Sequence, residues 1–206
     1  MSAERVVAGG LFAVGLAVLG GWWLATQASG PAVAQPVEGD AEGPMMVIEV
    51  AGAAEGRVEI DLAEQAAPQH VARLTDLAEA GAYDGVVFHR VIDGFMAQTG
   101  DVQFGKAGGD LSRAGMGGSD RPDLPAEFSD IPFTRGTVGM ARAADPDSAN
   151  SQFFIMFAAA PHLNGQYTVV GRVTEGMDVV DAIRRGSGRS GAVREPDRMV
   201  SVTVER

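Results

Sequence analysis

The chain has 206 residues, no cysteine and a formal net charge of −11. That length fits one domain plus an extension, with a core large enough to stand without staples. Thiol catalysis and cysteine-held zinc are excluded. With Lys106 as the sole lysine, an acidic chain also lacks the clustered cations that a phosphate backbone requires, so nucleic acid is not an expected partner.

Glu4 and Arg5 precede an uncharged, mostly apolar run over residues 6–25. It is long enough to cross a bilayer as a helix, and Trp22 and Trp23 stand at its far end, where interfacial aromatics sit. Ala32-Val33-Ala34 before Gln35 has the small-x-small pattern of a signal-peptidase site. Residues 1–34 therefore read as a cleaved secretory signal ending at Ala34 or as an uncleaved membrane anchor, and both readings stay open. Either sends the folded part across the membrane. In a bacterial cell that is the periplasm, with the protein secreted or tethered to the inner membrane through residues 6–25. The segment after Ala34 is small, polar and Pro/Gly-containing, so residues 35–43 are a linker and residues 44–206 the domain.

Within the domain, Met46–Val50 and Arg57–Leu62 alternate around a glycine-bearing turn and predict a hairpin. Further strands are predicted at 86–92, 95–99, 137–141, 152–156, 167–173 and 200–205. Pro68 at a first helical position and Gly81 past the end bracket one helix, with Val71, Leu74, Leu77 and Ala78 on one face. A second helix is predicted from Asp178 to Arg185, stopped by Gly186. The glycine-rich stretch from Phe104 to Ile131 predicts a long surface loop. Arg184 to Arg198, interleaved with Asp181, Glu195 and Asp197, reads as a solvated mixed face.

Several motifs fail on their details. Gly100 to Lys106 matches a phosphate-binding loop until Ala107 takes the place of the hydroxyl that would hold magnesium. Gly186 to Gly191 has the spacing of a dinucleotide loop but follows a helix near the C-terminus. Asp145 to Asn150 lacks the ligands and turn glycine of a calcium loop. His70, His89 and His162 show no metal spacing, and no nucleophile elbow occurs. No metal or organic cofactor is expected.

Two blocks remain. Phe88-His89-Arg90 runs through Phe95-Met96 and Gln98, and Ser151-Gln152-Phe153-Phe154 follows downstream. They set one arginine beside apolar side chains and a glutamine, with no ordinary nucleophile. Such a site suits polarisation and shape rather than covalent chemistry. Both blocks resemble the signature of the cyclophilins, a class of peptidyl-prolyl cis-trans isomerases, and the resemblance extends from about Met46 to the C-terminus. It implies a closed eight-stranded antiparallel β-barrel capped by two helices, where periodicity alone gives a β-rich domain with two helices.

The resemblance also implies that Arg90 is catalytic and that Phe95, Met96, Phe154 and Leu163 form a proline pocket. Gln98 and Gln152 would hold substrate backbone and orient Arg90, and Ala141, Arg142 and Ala143 would run beside the substrate. Phe153 and Phe154 alternate in a strand, so one faces the core and the other the groove. Substrates would be unfolded or extended proline-containing polypeptides, met by a monomer that assists folding. A non-catalytic peptide-binding or holdase module of the same fold is the alternative. The chain departs from the family pattern at three points. His162 stands where many members have tryptophan, so cyclosporin-like ligands should bind with reduced affinity. Tyr167 replaces a common histidine in the substrate groove. The stretch between Met140 and Ser151 is one residue longer than usual.

Overall fold

The structure, a computed structural model, describes residues 43–206. The apolar run 6–25, the site after Ala34 and all of the linker except Gly43 lie outside the described residues. Among the described residues no helix is long and apolar enough to cross a membrane.

The predicted hairpin forms from β1 (Met45–Ala51) and β2 (Gly56–Leu62), with Ile48 opposite Val58. Two bonds lead into it: the Gly43 N–H donates to Asp61 and the Leu62 N–H to the Pro44 carbonyl. β3 (Arg90–Ile92), β4 (Met96–Thr99), β5 (Thr137–Met140), β6 (Phe153–Met156), β7 (Val169–Glu175) and β8 (Arg198–Glu205) complete one antiparallel sheet in the order β3-β4-β6-β5-β7-β2-β1-β8. Register shifts at Glu49/Val50, Glu59/Ile60 and Val138/Gly139 bend the strands and curl the sheet.

The expected closed barrel is corrected by this order. β3 and β8 are edges of an open, curled sheet. The predicted strand 86–92 is a ladder only at its last three residues, because its first half bonds elsewhere. Gly85 and Phe88 donate to the Met199 and Asp197 carbonyls, Met199 donates to Val86, and Val87 donates to Gly105. These single bonds span the gap between the edges without building a ladder.

Residues alternating inward, among them Met46, Ile48, Ile60, Phe153 and Ile155, fill the space inside the curl. Helix α1 (Pro68–Glu79) covers one opening with Val71, Leu74, Leu77 and Ala78. No acidic residue stands in its first turn. Its free N–H groups are met instead by Glu127 from the long loop, which accepts from Gln69 and His70 backbone and from His70 Nδ1 at 2.7 Å. Helix α2 (Met177–Ala182) is shorter than predicted. The Arg184 N–H is drawn away to the Asp197 carboxylate at 2.6 Å. Asp197 is itself buried and also accepts from the Ala53 and Ala54 N–H groups, so the reading of it as part of a solvated face is corrected.

Two ionisable groups, the buried His89 and the half-buried Glu127, give the domain a pH dependence. Burial holds the His89 imidazole below the usual histidine range. The unfolded chain therefore binds a proton that folded His89 refuses, and stability is lost as pH falls through about 6.5. Burial of Glu127 raises its carboxyl, but bonds from His70 and Gln69 outweigh it and hold the group below the ordinary carboxylate range. That contribution is present above the unfolded value and disappears as pH falls through the folded one, so both act in the same direction. Unfolding free energy should decline from pH 7 to pH 5. A His89→Leu variant should show a shallower slope, by up to about 1.4 kcal/mol per pH unit. Equal slopes for the two proteins in denaturant titrations would sink this account of His89.

Candidate functional site

One lateral row across four strands carries the site. Arg90 on β3 pairs with Gln98 on β4, Gln98 with Phe154 on β6, and Phe154 with Gly139 on β5. Residues in register share a face, so these side chains stand together on the outside of the curl. Phe153, the neighbour of Phe154, lies in the core, while Phe154 belongs to a second apolar cluster with Met96, Phe133, Met156 and Leu163. Gly139 leaves room for that cluster. A Cβ there would come within 2.6 Å of the Phe133 ring and 2.7 Å of the Phe154 ring.

The cluster lines a cavity of about 170 Å³ bounded by Arg90, Phe95, Met96, Gln98, Ala141, Arg142, Phe154, Leu163 and Tyr167. Drug-sized ligands occupy about 300 Å³ or more, so this space suits one small ring. Phe133 stacks on Phe154 from below, and Tyr167 meets it edge-on. His162 is exposed and lies outside this lining, stacked on Phe95 with centroids 5.9 Å apart. A neighbouring cavity of about 610 Å³ shares Gln98, Ala141 and Arg142 and adds Ala143, Gln152 and the loop from Gly115 to Ser119. The structure thus brings nine of the twelve residues singled out in the sequence to the smaller cavity. It places Gln152 and Ala143 next door and His162 at the rim.

Hydrogen bonds fix the polar edge. Arg90 Nη1 donates to Gln98 Oε1 at 3.0 Å, Gln98 Nε2 to Gln152 Oε1 at 2.9 Å, and Gln152 Nε2 to the Gly117 carbonyl at 2.7 Å. Each amide can serve its two partners in only one orientation, so the relay has a single direction. Arg90 Nε donates to the Ser190 carbonyl. Nη2 has no hydrogen bond among the described residues, and no carboxylate pairs with this guanidinium. An always-charged fork therefore stands at the mouth of an apolar cavity with donors to spare.

Arg142 plays another part. Its guanidinium donates to the Ala143, Ala144 and Gln166 carbonyls and lies 4.5 Å over the Tyr167 ring. It stitches two loops together and leaves the cavity wall small at Ala141. The loop that walls the larger cavity hangs from Asp101, which is fully buried. Its carboxylate accepts from the Gln103, Phe104, Gly115 and Gly117 N–H groups at 2.7–3.1 Å. Sequence reasoning missed Phe133, Gly139 and Asp101. Phe133 and Gly139 act through Phe154, distant in the chain, and Asp101 ties its own turn to Gly115 and Gly117, 14 and 16 positions on. Lys106, from the failed phosphate-loop motif, donates to the Ala82 and Asp84 carbonyls.

Comparisons with known proteins agree with this geometry. The family described as "Cyclophilin type peptidyl-prolyl cis-trans isomerase/CLD" matches residues 45–204. A Brucella suis protein described as "Probable peptidyl-prolyl cis-trans isomerase" is 60% identical over 154 residues, covering 73% of this chain and 79% of that one. The Helicobacter pylori peptidyl-prolyl cis-trans isomerase is 38% identical over 133 residues, 64% of this chain and 76% of its own. Among solved structures, cyclophilin AquaCyp293 from Hirschia baltica superposes with a TM-score of 0.65 at 26% identity, covering 80% of this chain and 74% of that one. A Cryptosporidium parvum cyclophilin type isomerase gives 0.67 at 23% identity, covering 79% of this chain and 99% of its own.

Proposed function

Because the chain belongs to the cyclophilin-type peptidyl-prolyl cis-trans isomerases, we propose that its 170 Å³ cavity grips the proline of an X-Pro bond and that Arg90 lowers the barrier to rotation. The observation that carries this assignment is the free Nη2 edge of Arg90 at the mouth of that cavity.

The reaction breaks no bond permanently. Rotation is slow because C–N resonance sets a barrier of about 18–20 kcal/mol. A rate of about a thousand per second needs roughly 7 kcal/mol off it. Phe95, Met96, Phe154 and Leu163 hold the ring while the preceding carbonyl swings. The Arg90 N–H groups then meet the prolyl nitrogen as its lone pair localises, a state that exists only in the transition state, and so the bond lowers the barrier rather than tightening ground-state binding. Gln98 and Gln152 keep the fork aimed. Ala141 and Ala143, lacking bulk, let an extended backbone approach, and Arg142 and Tyr167 hold that wall in place.

The substrates we infer are unfolded or extended proline-containing polypeptides, bound by a monomer that assists their folding. The Cryptosporidium parvum structure was obtained in the presence of the dipeptide Ala-Pro, which supports a proline-sized pocket. We further propose action in the periplasm, released after Ala34 or tethered through residues 6–25; mass spectrometry of the mature N-terminus distinguishes the two. His162 stacks on Phe95 where a larger indole would cover more of the rim. His162→Trp should therefore raise the affinity for a cyclosporin-like ligand by about tenfold, read by calorimetry. Unchanged affinity would remove His162 as the determinant. The isomerase assignment itself is tested by following cis–trans exchange in a short X-Pro peptide with the wild type and Arg90→Ala side by side.

A further inference from the structure

The segment that joins α2 to β8 contains the glycine-rich stretch Gly186–Gly191. It folds back on itself with Ser187 opposite Ala192, and it lies along the free edge of β3. Three backbone bonds seat it there. Gly186 donates to the Val91 carbonyl, Val91 to the Gly191 carbonyl, and Val193 to the His89 carbonyl. These bonds bracket Arg90 on both sides. The base of the segment is pinned as well, by Arg184 N–H on the buried Asp197 carboxylate and by Arg185 on Asp93.

The result is a carbonyl set at a defined place. Ser190 oxygen accepts from Arg90 Nε at 3.1 Å, on the side of the guanidinium opposite Gln98. One acceptor leaves a planar fork free to swing about its own bond; two acceptors on different edges fix its plane. We propose that this hairpin is a positioning element, with the Ser190 carbonyl holding the Arg90 plane so that Nη2 faces the prolyl nitrogen. The inference rests on the catalytic assignment of Arg90.

Gly191 is what lets the carbonyl come this close. Its φ is +69°, and a Cβ would lie 2.4 Å from Ile92 Cγ1 and 3.1 Å from the Val91 carbonyl oxygen. Gly188 in the same hairpin also has positive φ, yet a Cβ there would meet nothing within 4 Å.

The test uses the full chain. Replacing the Ser190–Gly191 amide by an ester, with glycolic acid in place of Gly191, weakens the Ser190 carbonyl as an acceptor. It removes an N–H that makes no hydrogen bond among the described residues, and it changes no side chain. Catalysed exchange should fall about tenfold in kcat, with KM for the X-Pro peptide largely kept. In ¹⁵N NMR the Arg90 Nε–H should exchange faster with water. Gly191→Ala, which dislodges the hairpin, should fall at least as far. An ester protein with wild-type kcat and an equally protected Nε–H would overturn the positioning role. If Arg90→Ala lost its activity while the ester did not, only the positioning inference would fall. Wild-type activity in Arg90→Ala would bring down both.

Discussion

Arg90→Ala should lose about 10²–10³-fold in kcat/KM for an X-Pro peptide, the loss of one preorganised donor at a site of developing charge, about 2.7–4 kcal/mol. The loss should fall on kcat. The apolar walls that bind the ring, Phe95, Met96, Phe154 and Leu163, do not depend on the guanidinium for their packing. Peptide-induced NMR shifts on those residues should survive. Arg90→Lys is the sharper comparison: it keeps the charge but replaces a planar fork by a point donor that cannot reach Gln98, Ser190 and substrate together. It too should lose more than about tenfold. Stability should change little, because Arg90 is only half-buried and pairs with no carboxylate among the described residues. Full activity in a folded Arg90→Ala protein would remove the guanidinium from the mechanism and leave the rate to be explained by the shape of the cavity alone.

The largest expected loss of stability is at Asp101→Asn. The carboxylate is fully buried and receives four backbone N–H groups, two on each oxygen. An amide keeps one oxygen and turns a donor toward the other pair, so two N–H groups lose their acceptor and face a like group. Bonds to a charged acceptor are worth about 1.5–3 kcal/mol each, and an unmet buried donor costs about 1–3 kcal/mol. A destabilisation of about 3–5 kcal/mol follows, with Tm lower by roughly 10–15 °C for a domain of this size. Activity should drop as well, because the loop released carries the Gly117 carbonyl that ends the relay from Arg90. A loss under about 1 kcal/mol in denaturant unfolding, with the fold intact, would show that water replaces the carboxylate freely.

The pattern of what was legible in the sequence is physical. Period-two alternation in Met46–Val50 and at Phe153/Phe154 reports burial on a sheet face, and the structure places those residues as the alternation requires. Pro68 marks a helix start through its own backbone. Partners that act over distance left no trace. The β3 ladder is short because Val86 and Phe88 bond to residues more than a hundred positions away. Helix α2 stops early because of Asp197, which charge patterning misread as solvated. Closure of the sheet was inferred from resemblance, whereas the strand order leaves two edges. At the site, the side chains could be named from two short blocks. The carbonyls of Gly117 and Ser190 that orient them belong to the backbone, where residue type carries no signal.

The pairing of β1 with β8 has a kinetic consequence. Met45 lies opposite Glu205, so the first and last strands of the sheet are neighbours. During synthesis, β1 and β2 can zip together early, but the other side of β1 stays unsatisfied until residues 198–205 arrive. Loop-closure entropy for so distant a contact is met late, and a template edge remains open meanwhile. An isomerase of this architecture thus begins its own life as an incomplete sheet in need of a partner strand, and the eight residues of β8 decide when that ends.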